Sequence, residues 1–434
     1  MKKSISNLIS LIKKGGLDPL ELTEKLLQRI KKYDGVLNSY VALNPDAEKH
    51  AKSLNKSALL CGLPVSVKDL IDTAKIPTTY GSVIFKNYIP KRDAKVVANL
   101  KRAGAFVLGK TNTHEFALGI ETPPTRNPWD ITRIPGGSSG GSAASIAADL
   151  AVFALGTDTG GSIRIPASMC GITGLKPTYS KISTQGVFPE SWSLDHVGPM
   201  CRFASDLPLL LEGMGYRVKR SSKFPLKLGL ESNFLSECEK DVKSALEAFV
   251  NKLVSESVAE VQEVSFPLLE QINSAHSIID TSEIATVHKK IYPKHKKEYL
   301  PLSIEQIELG LKRSAVEYVE AIRFRSKAVK RVSYEFRRFD VLVTPTMPSV
   351  APKISEVKKM TLEELYPFVK FLEPFNFLGF PALVVPCGFA NLPIGVQLVS
   401  KPNQEGVLIG LAERYQSVTD WHTRTPAMFG ELDV

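Results

Sequence analysis

GGSSGGSAASIAADLAVFALGTDTGGSIRIPASMCGITG, residues 136–174, places two glycine-serine loops on either side of a short apolar run. The run AVFALGT reads as a buried strand bounded by turns. Glycines on both sides of a serine let the backbone come close to a ligand and turn its N–H groups inward. Such a loop can cradle a phosphate or stabilise an oxyanion, and composition alone does not separate the two.

The same texture extends outward. PVSV (64–67) and AFVLGK (105–110) are further short apolar runs, and AKVVANLKRAG (94–104) between them has helical spacing. This alternation predicts an α/β fold, a sheet with helices on its faces. Downstream, DVLVTPT (340–346) reads as a buried strand, and PALVVPCGFANLPIGVQLVS (381–400) as two strands around a turn. Residues 1–60 read as helical. Ile5, Leu8, Ile9 and Ile12 share one face, and Leu22, Leu26, Leu27 and Ile30 another, with Gly35 as a stop. Residues 205–330 also read as mostly helical. In a stretch from Lys312 to Arg338, Val316, Val319, Ile322, Val329, Val332 and Phe336 fall on or near one face. No repeat or linker interrupts the chain, so residues 1–434 are expected to form one domain. Its parts are an N-terminal helical segment (1–60), a core carrying the glycine-serine loops (61–200) and the remainder of the same sheet with helical pocket segments (201–434).

The 434 residues, 43% apolar and 23% charged, suffice for a large buried core. No apolar run reaches the length of a membrane span, and the lysine-led N-terminus lacks a cleavage site, so a cytoplasmic enzyme away from membranes is expected. Five scattered cysteines, never in a C-x-x-C pair, fit a reducing compartment. The histidines show no H-E-x-x-H spacing, so neither a metal site nor a cofactor is indicated. The net charge of +10 sits mostly in 289–297 (KKIYPKHKK) and 312–338. A solvated helix face accounts for it better than a surface for nucleic acid or an acidic partner.

A phosphate loop would need G-x-x-x-x-G-K-[ST], and neither loop supplies the lysine. The G-x-S-x-G elbow is also missing, since Ile163 and Arg164 follow Ser162. Nothing marks His114 or His196 as the base of a Ser-His-Asp enzyme. A Ser-His-Asp enzyme stays possible in principle, and an oxyanion-stabilising serine hydrolase with an unusual base is a third option. Lys68, at the end of PVSVK, is the residue placed to be that base, although a strand-end lysine is more often a surface group.

PVSVKD (64–69), GGSSGGSAA (136–144) and GTDTGGSIRIPAS (156–168) occur in this order. They are joined by GITGLKPT (171–178), SLDHVGPM (193–200) and PFNFLGFPALVVPCGF (374–389). In all six segments the chain resembles the amidase signature family, from about residue 60 to 420. The resemblance implies the amidase-signature fold, a large mixed sheet covered by helices on both faces. It implies an amide hydrolase that cleaves a small-molecule carboxylic amide to acid and ammonia or amine. In this scheme Ser162 is the nucleophile that forms an acyl-enzyme. Ser138, following a cis peptide from Gly137, relays the proton, and Lys68 is the base. The N–H groups of Thr159, Gly160, Gly161 and Ser162 form the oxyanion hole. Ser139, Asp158 and Arg164 take supporting positions. To act as base, Lys68 must lose its proton well below the usual lysine range near 10.4, a shift that burial can supply.

Within the family the alternative is the glutaminase component of a tRNA-dependent amidotransferase, working with a partner subunit. That component usually has glutamine where this chain has Ile165, and SLDQ where this chain has SLDH with His196. The acid that receives the amino group of glutamine, ahead of the late proline-asparagine segment, has no counterpart in FVKFLEPFNF (368–377), where Glu373 is out of register. A stand-alone amidase is therefore preferred. A non-catalytic binding protein of the same fold is disfavoured by the intact Lys68, Ser138 and Ser162. Homodimers are common in the family. The substrate pocket is expected between about 185 and 345, with Phe188, Trp192 and Phe324 as aromatic candidates.

Overall fold

In a computed structural model, which describes residues 3–433 except 54, 56 and 222, one mixed sheet of eleven strands runs through the chain. In chain order these are β1 (Tyr40–Leu43), β2 (Pro64–Lys68), β3 (Phe106–Thr111), β4 (Phe153–Asp158), β5 (Thr173–Lys176) and β6 (His196–Cys201). They continue with β7 (Leu226–Glu231), β8 (Ala259–Val264), β9 (Val341–Pro345), β10 (Ala382–Phe389) and β11 (Pro393–Val399). Their order across the sheet is β1-β3-β2-β4-β6-β5-β10-β11-β9-β7-β8. β2 runs parallel to both β3 and β4, whereas β4, β6, β5, β10, β11 and β9 are successively antiparallel. Strands β2, β3 and β4 are buried along their whole length, as expected of parallel strands covered on both faces.

The expected buried strand over DVLVTPT is β9, and the late apolar segment is the β10–β11 hairpin. Three readings need correction. Within the expected helical segment 1–60, Tyr40–Leu43 forms the edge strand β1, and the preceding helix (Pro19–Leu37) passes through Gly35 before ending on Asn38 in the left-handed region. The stretch 205–330 contributes two strands, β7 and β8, to the far edge of the sheet. Finally, in the helix Ala315–Glu335, Val316 and Val319 are 66% and 53% exposed. Ala321, Ala328 and Val332 are the buried residues there, spaced along the helix, and Val316 and Val319 lie off this packed face.

The helix Gly140–Ala147 is wholly buried against β2 and β4. Its small residues make this approach feasible. A Cβ on Gly141 would fall 2.5 Å from the Asn112 nitrogen and 2.6 Å from the Ser39 carbonyl oxygen. That close seat carries the loop bearing Ser138 and Ser139 onto the end of β4. A second helix, Arg164–Cys170, packs on the β10–β11 hairpin and fixes the turn containing Ser162.

Candidate active site

The C-terminal end of β2 delivers Lys68 into the interior, where its side chain is fully buried. Its Nζ donates to Ser138 Oγ at 2.7 Å and to Thr157 Oγ1 at 2.7 Å. Burial pulls the Lys68 ammonium down to about 7, against the opposing pull of Glu190, Asp158 and Asp195. Lys68 is therefore no surface group. The peptide bond Gly137–Ser138 is cis.

The loop after β4 is built around Asp158. Its carboxylate accepts from the N–H groups of Gly161 (3.0 Å), Ile163 (3.1 Å) and Arg164 (3.3 Å). The Arg164 guanidinium donates to both of its oxygens, Nε to Oδ2 at 2.9 Å and Nη2 to Oδ1 at 2.7 Å. The remaining Arg164 donors reach the Leu372 carbonyl (3.0 Å), Gln397 Oε1 (2.6 Å) and Asn376 Oδ1 (2.5 Å). All five N–H groups of this buried arginine are thereby satisfied, the condition under which a buried ion pair is tolerated. Burial alone would raise the Asp158 carboxyl, but Arg164, Lys176 and Asn376 together hold it well below the usual carboxylate range.

Ser139 links the two loops. Its N–H donates to the Ser162 carbonyl at 3.1 Å and its hydroxyl to the Thr157 carbonyl at 3.2 Å. Ser162 is 8% exposed and is the member of the Lys68, Ser138 and Ser162 set that reaches a cavity of about 200 Å³. Among the described residues its hydroxyl has no hydrogen-bond partner, Ser138 Oγ included. Of the four expected oxyanion donors, the Gly161 N–H is already given to Asp158. The N–H groups of Thr159, Gly160 and Ser162 have no acceptor among the described residues. Gly161 itself has φ +129°, and a Cβ there would meet Leu372 Cδ1 at 2.7 Å. The turn thus requires glycine twice over.

Several contributors were not expected from the sequence. Thr157 shares Lys68 with Ser138. Asp195 accepts from Thr159 Oγ1 at 2.7 Å and from two N–H groups, and burial raises it to about 7. Thr157 and Asp195 lie inside the quoted motifs, which was the available signal. The cavity walls come from residues distant in sequence: Glu190, Asn273, His276, Asp280, Leu302, Leu309, Leu365, Tyr366, Val369 and Glu373, with Ile165 at the base. None of its lining residues is lysine or arginine. The region past 345 supplies a full wall, beyond the expected bounds of the pocket. The aromatic candidates lie elsewhere. Phe188 packs with Tyr80 and Phe116, Trp192 is exposed, and Phe324 packs beside Phe377. Both histidines considered as bases are buried. Burial lowers His114 to about 4, and His196 donates from Nδ1 to the Leu194 carbonyl at 2.6 Å.

The model of the Amidase family matches residues 21–409. A relative from Sulfurihydrogenibium sp. (strain YO3AOP1), the A component of its glutamyl-tRNA(Gln) amidotransferase, is 34% identical over 481 residues, covering 98% of this chain and 99% of the relative. Among solved structures, an amidase superposes with a TM-score of 0.89 at 31% identity, over 96% of this chain and 99% of the other. The A component of glutamyl-tRNA(Gln) amidotransferase from Thermotoga maritima superposes with a TM-score of 0.81 at 31% identity, over 95% and 93%.

Proposed function

This chain belongs to the amidase family, and on that premise we propose that it hydrolyses a small carboxylic amide through Ser162, Ser138 and Lys68. The observation carrying this reading is the bond from buried Lys68 to Ser138, one loop behind the cavity-facing Ser162. Neutral Lys68 draws the Ser138 proton as Ser138 takes that of Ser162, and Ser162 Oγ attacks the carbonyl carbon. The N–H groups of Thr159, Gly160 and Ser162 meet the oxyanion, each such donor contributing about 10²–10³ in rate. The lysine then returns its proton through Ser138 to the leaving nitrogen, and the amine or ammonia departs. Water, activated by the same relay, cleaves the acyl-enzyme. Hydrogen bonds of such relays are often long in the free enzyme and tighten with substrate, in keeping with the unpaired Ser162 hydroxyl. Ser139, Asp158 and Arg164 hold the loops and take no part in bond making. The scattered buried cysteines suit a reducing, cytoplasmic setting.

The names of the curated relatives favour a second reading, a glutaminase that works together with a partner protein. Glutamine presents a carboxylate beside its amine, and the cavity has no cationic side chain to receive it. Those alignments also run over 481 residues against 434 here, so the relatives carry insertions that this chain lacks. A stand-alone amidase is the reading we adopt.

The test is intact-mass analysis after a fluorophosphonate, with amide hydrolysis measured on the protein alone. One adduct on the wild type, none on Ser162→Ala, and turnover without a partner are expected. Labelling of Ser162→Ala, or turnover of glutamine only after a partner is added, would overturn the assignment.

A further inference from the structure

The cavity facing Ser162 combines an acidic wall with acceptor atoms that have no donor. Glu190, Asp280 and Glu373 all line it, contributed by the loop before β6, the helix Leu269–His288 and the start of the short helix Glu373–Phe377 ahead of β10. Glu190 is only 8% exposed, yet its Oε2 has no hydrogen-bond partner, and the same holds for Asp280 Oδ1. Two neutral groups beside them show the same deficit. The Asn273 amide nitrogen donates to Tyr366 Oη and the Lys370 carbonyl, both at 3.0 Å, which fixes its Oδ1 as the unpartnered acceptor. His276 donates from Nε2 to the Thr159 carbonyl at 3.1 Å, which leaves a lone pair on buried, unpartnered Nδ1. Glu373 Oε2 is 3.8 Å from that nitrogen, beyond hydrogen-bond reach.

Buried acceptors left unpaired are costly, and the protein supplies no cation in this lining to meet them. A ligand with several N–H donors and a positive charge answers both needs. A carboxylate ligand would find three carboxyls and no cationic side chain in the lining. We infer that the amide hydrolysed here carries a protonated amine, seated among Glu190, Asp280 and Glu373 while the carboxamide lies over Ser162. The spacing is short. A Cβ built on Gly160, in the nucleophile loop, would stand 3.8 Å from Glu373 Oε1. Ser162 and the three carboxyls line one cavity of about 200 Å³, so the substrate class is a small aminoacyl amide. The inference rests on the hydrolase reading for its chemistry but not for its binding.

Binding to Ser162→Ala, measured by calorimetry at mildly alkaline pH, separates the two. The probes are 4-aminobutanamide and pentanamide, which differ by an ammonium against a methyl group, with 3-aminopropanamide and butanamide as a second pair. The amines are expected to bind at least about tenfold tighter than their neutral partners, the margin of one modest ion pair. That margin should shrink when Glu190→Gln or Glu373→Gln is added. Ionisation of a carboxyl on binding should also release protons, read as a heat that depends on the buffer, which a merely structural role would not produce. Equal or weaker binding of the amines, or binding of neither member of a pair, overturns the ammonium site. Tight amine binding to Ser162→Ala without turnover of any amide by the wild type would retain the site and overturn the hydrolase reading. Turnover of pentanamide at the rate of 4-aminobutanamide, with equal affinities, would do the reverse.

Discussion

Thr157 Oγ1 accepts from Lys68 Nζ at 2.7 Å, as short a bond as the one Lys68 gives to Ser138. The lysine is held from two sides at the end of β2, so its nitrogen has little freedom to leave Ser138. In Thr157→Val the ammonium loses an acceptor, and the neutral form gains ground. The acid limb of the pH-rate profile should move to lower pH while kcat/KM falls about tenfold from lost positioning. Thr157→Ser should restore both. An unmoved acid limb in Thr157→Val would show that this hydroxyl does not act on Lys68.

Lys68 must be neutral to accept a proton, and burial pulls it down to about 7. Turnover of an uncharged amide should accordingly rise with pH through about 7 and level off above. Lys68→Met should lose about 10²-fold or more in acylation with its melting temperature preserved or raised, because a buried amine has been removed. Full activity of Lys68→Met at neutral pH would remove the lysine from the mechanism.

Burial raises the Glu373 carboxyl to about 8. Between its ordinary value of 4.5 and about 8 the folded chain holds this proton more tightly than the unfolded chain does. The stabilisation from this group is complete below 4.5 and is lost as pH climbs through 8. Melting temperatures of Glu373→Gln across that window should therefore decline less than those of the wild type. Parallel curves would contradict the buried, protonated state of Glu373.

The Arg164–Asp158 pair, fully buried, should be intolerant of one-sided change. Arg164→Met leaves the buried Asp158 carboxylate without its paired guanidinium and should cost about 3–5 kcal/mol in urea unfolding. Arg164→Lys should also be impaired, because a lysine offers three donors where five are used. A loss below about 1 kcal/mol in Arg164→Met would show that the pair does not organise the loop.

The Lys68, Ser138 and Ser162 set was legible because PVSVKD and GTDTGGSIRIPAS place Lys68 and Ser162 at or just past a strand end, and GGSSGGSAA places Ser138 just ahead of the helix Gly140–Ala147. Local chemistry of that kind survives folding without reference to the rest of the chain. The cavity was not legible, since Glu190, His276, Asp280 and Glu373 come from three separate segments that tertiary packing brings together. Two missed strands have physical explanations. β8 reads AEVQEV, with its four central side chains at least partly exposed, so an edge strand looks like a polar segment. β1 is four residues long and alternates between half-buried and exposed positions, too short to outweigh the helical pattern before it. The exposure of Val316 and Val319 marks the opposite error. The packed face runs through Tyr318, Ala321, Ala328 and Val332, and Val316 and Val319 lie off it although their spacing is helical.

Arg164 touches the Leu372 carbonyl and Asn376 as well as Asp158, so the turn carrying Ser162 and the chain that bears Glu373 are moored to the same guanidinium. The mooring uses backbone atoms and an asparagine, and leaves the side chains at 369 and 373 free to project into the cavity. Replacing those two side chains would reshape the cavity without displacing the Ser162 hydroxyl. The cavity can therefore change by exchange at its wall, one residue at a time, while the arrangement of Lys68, Ser138 and Ser162 is kept.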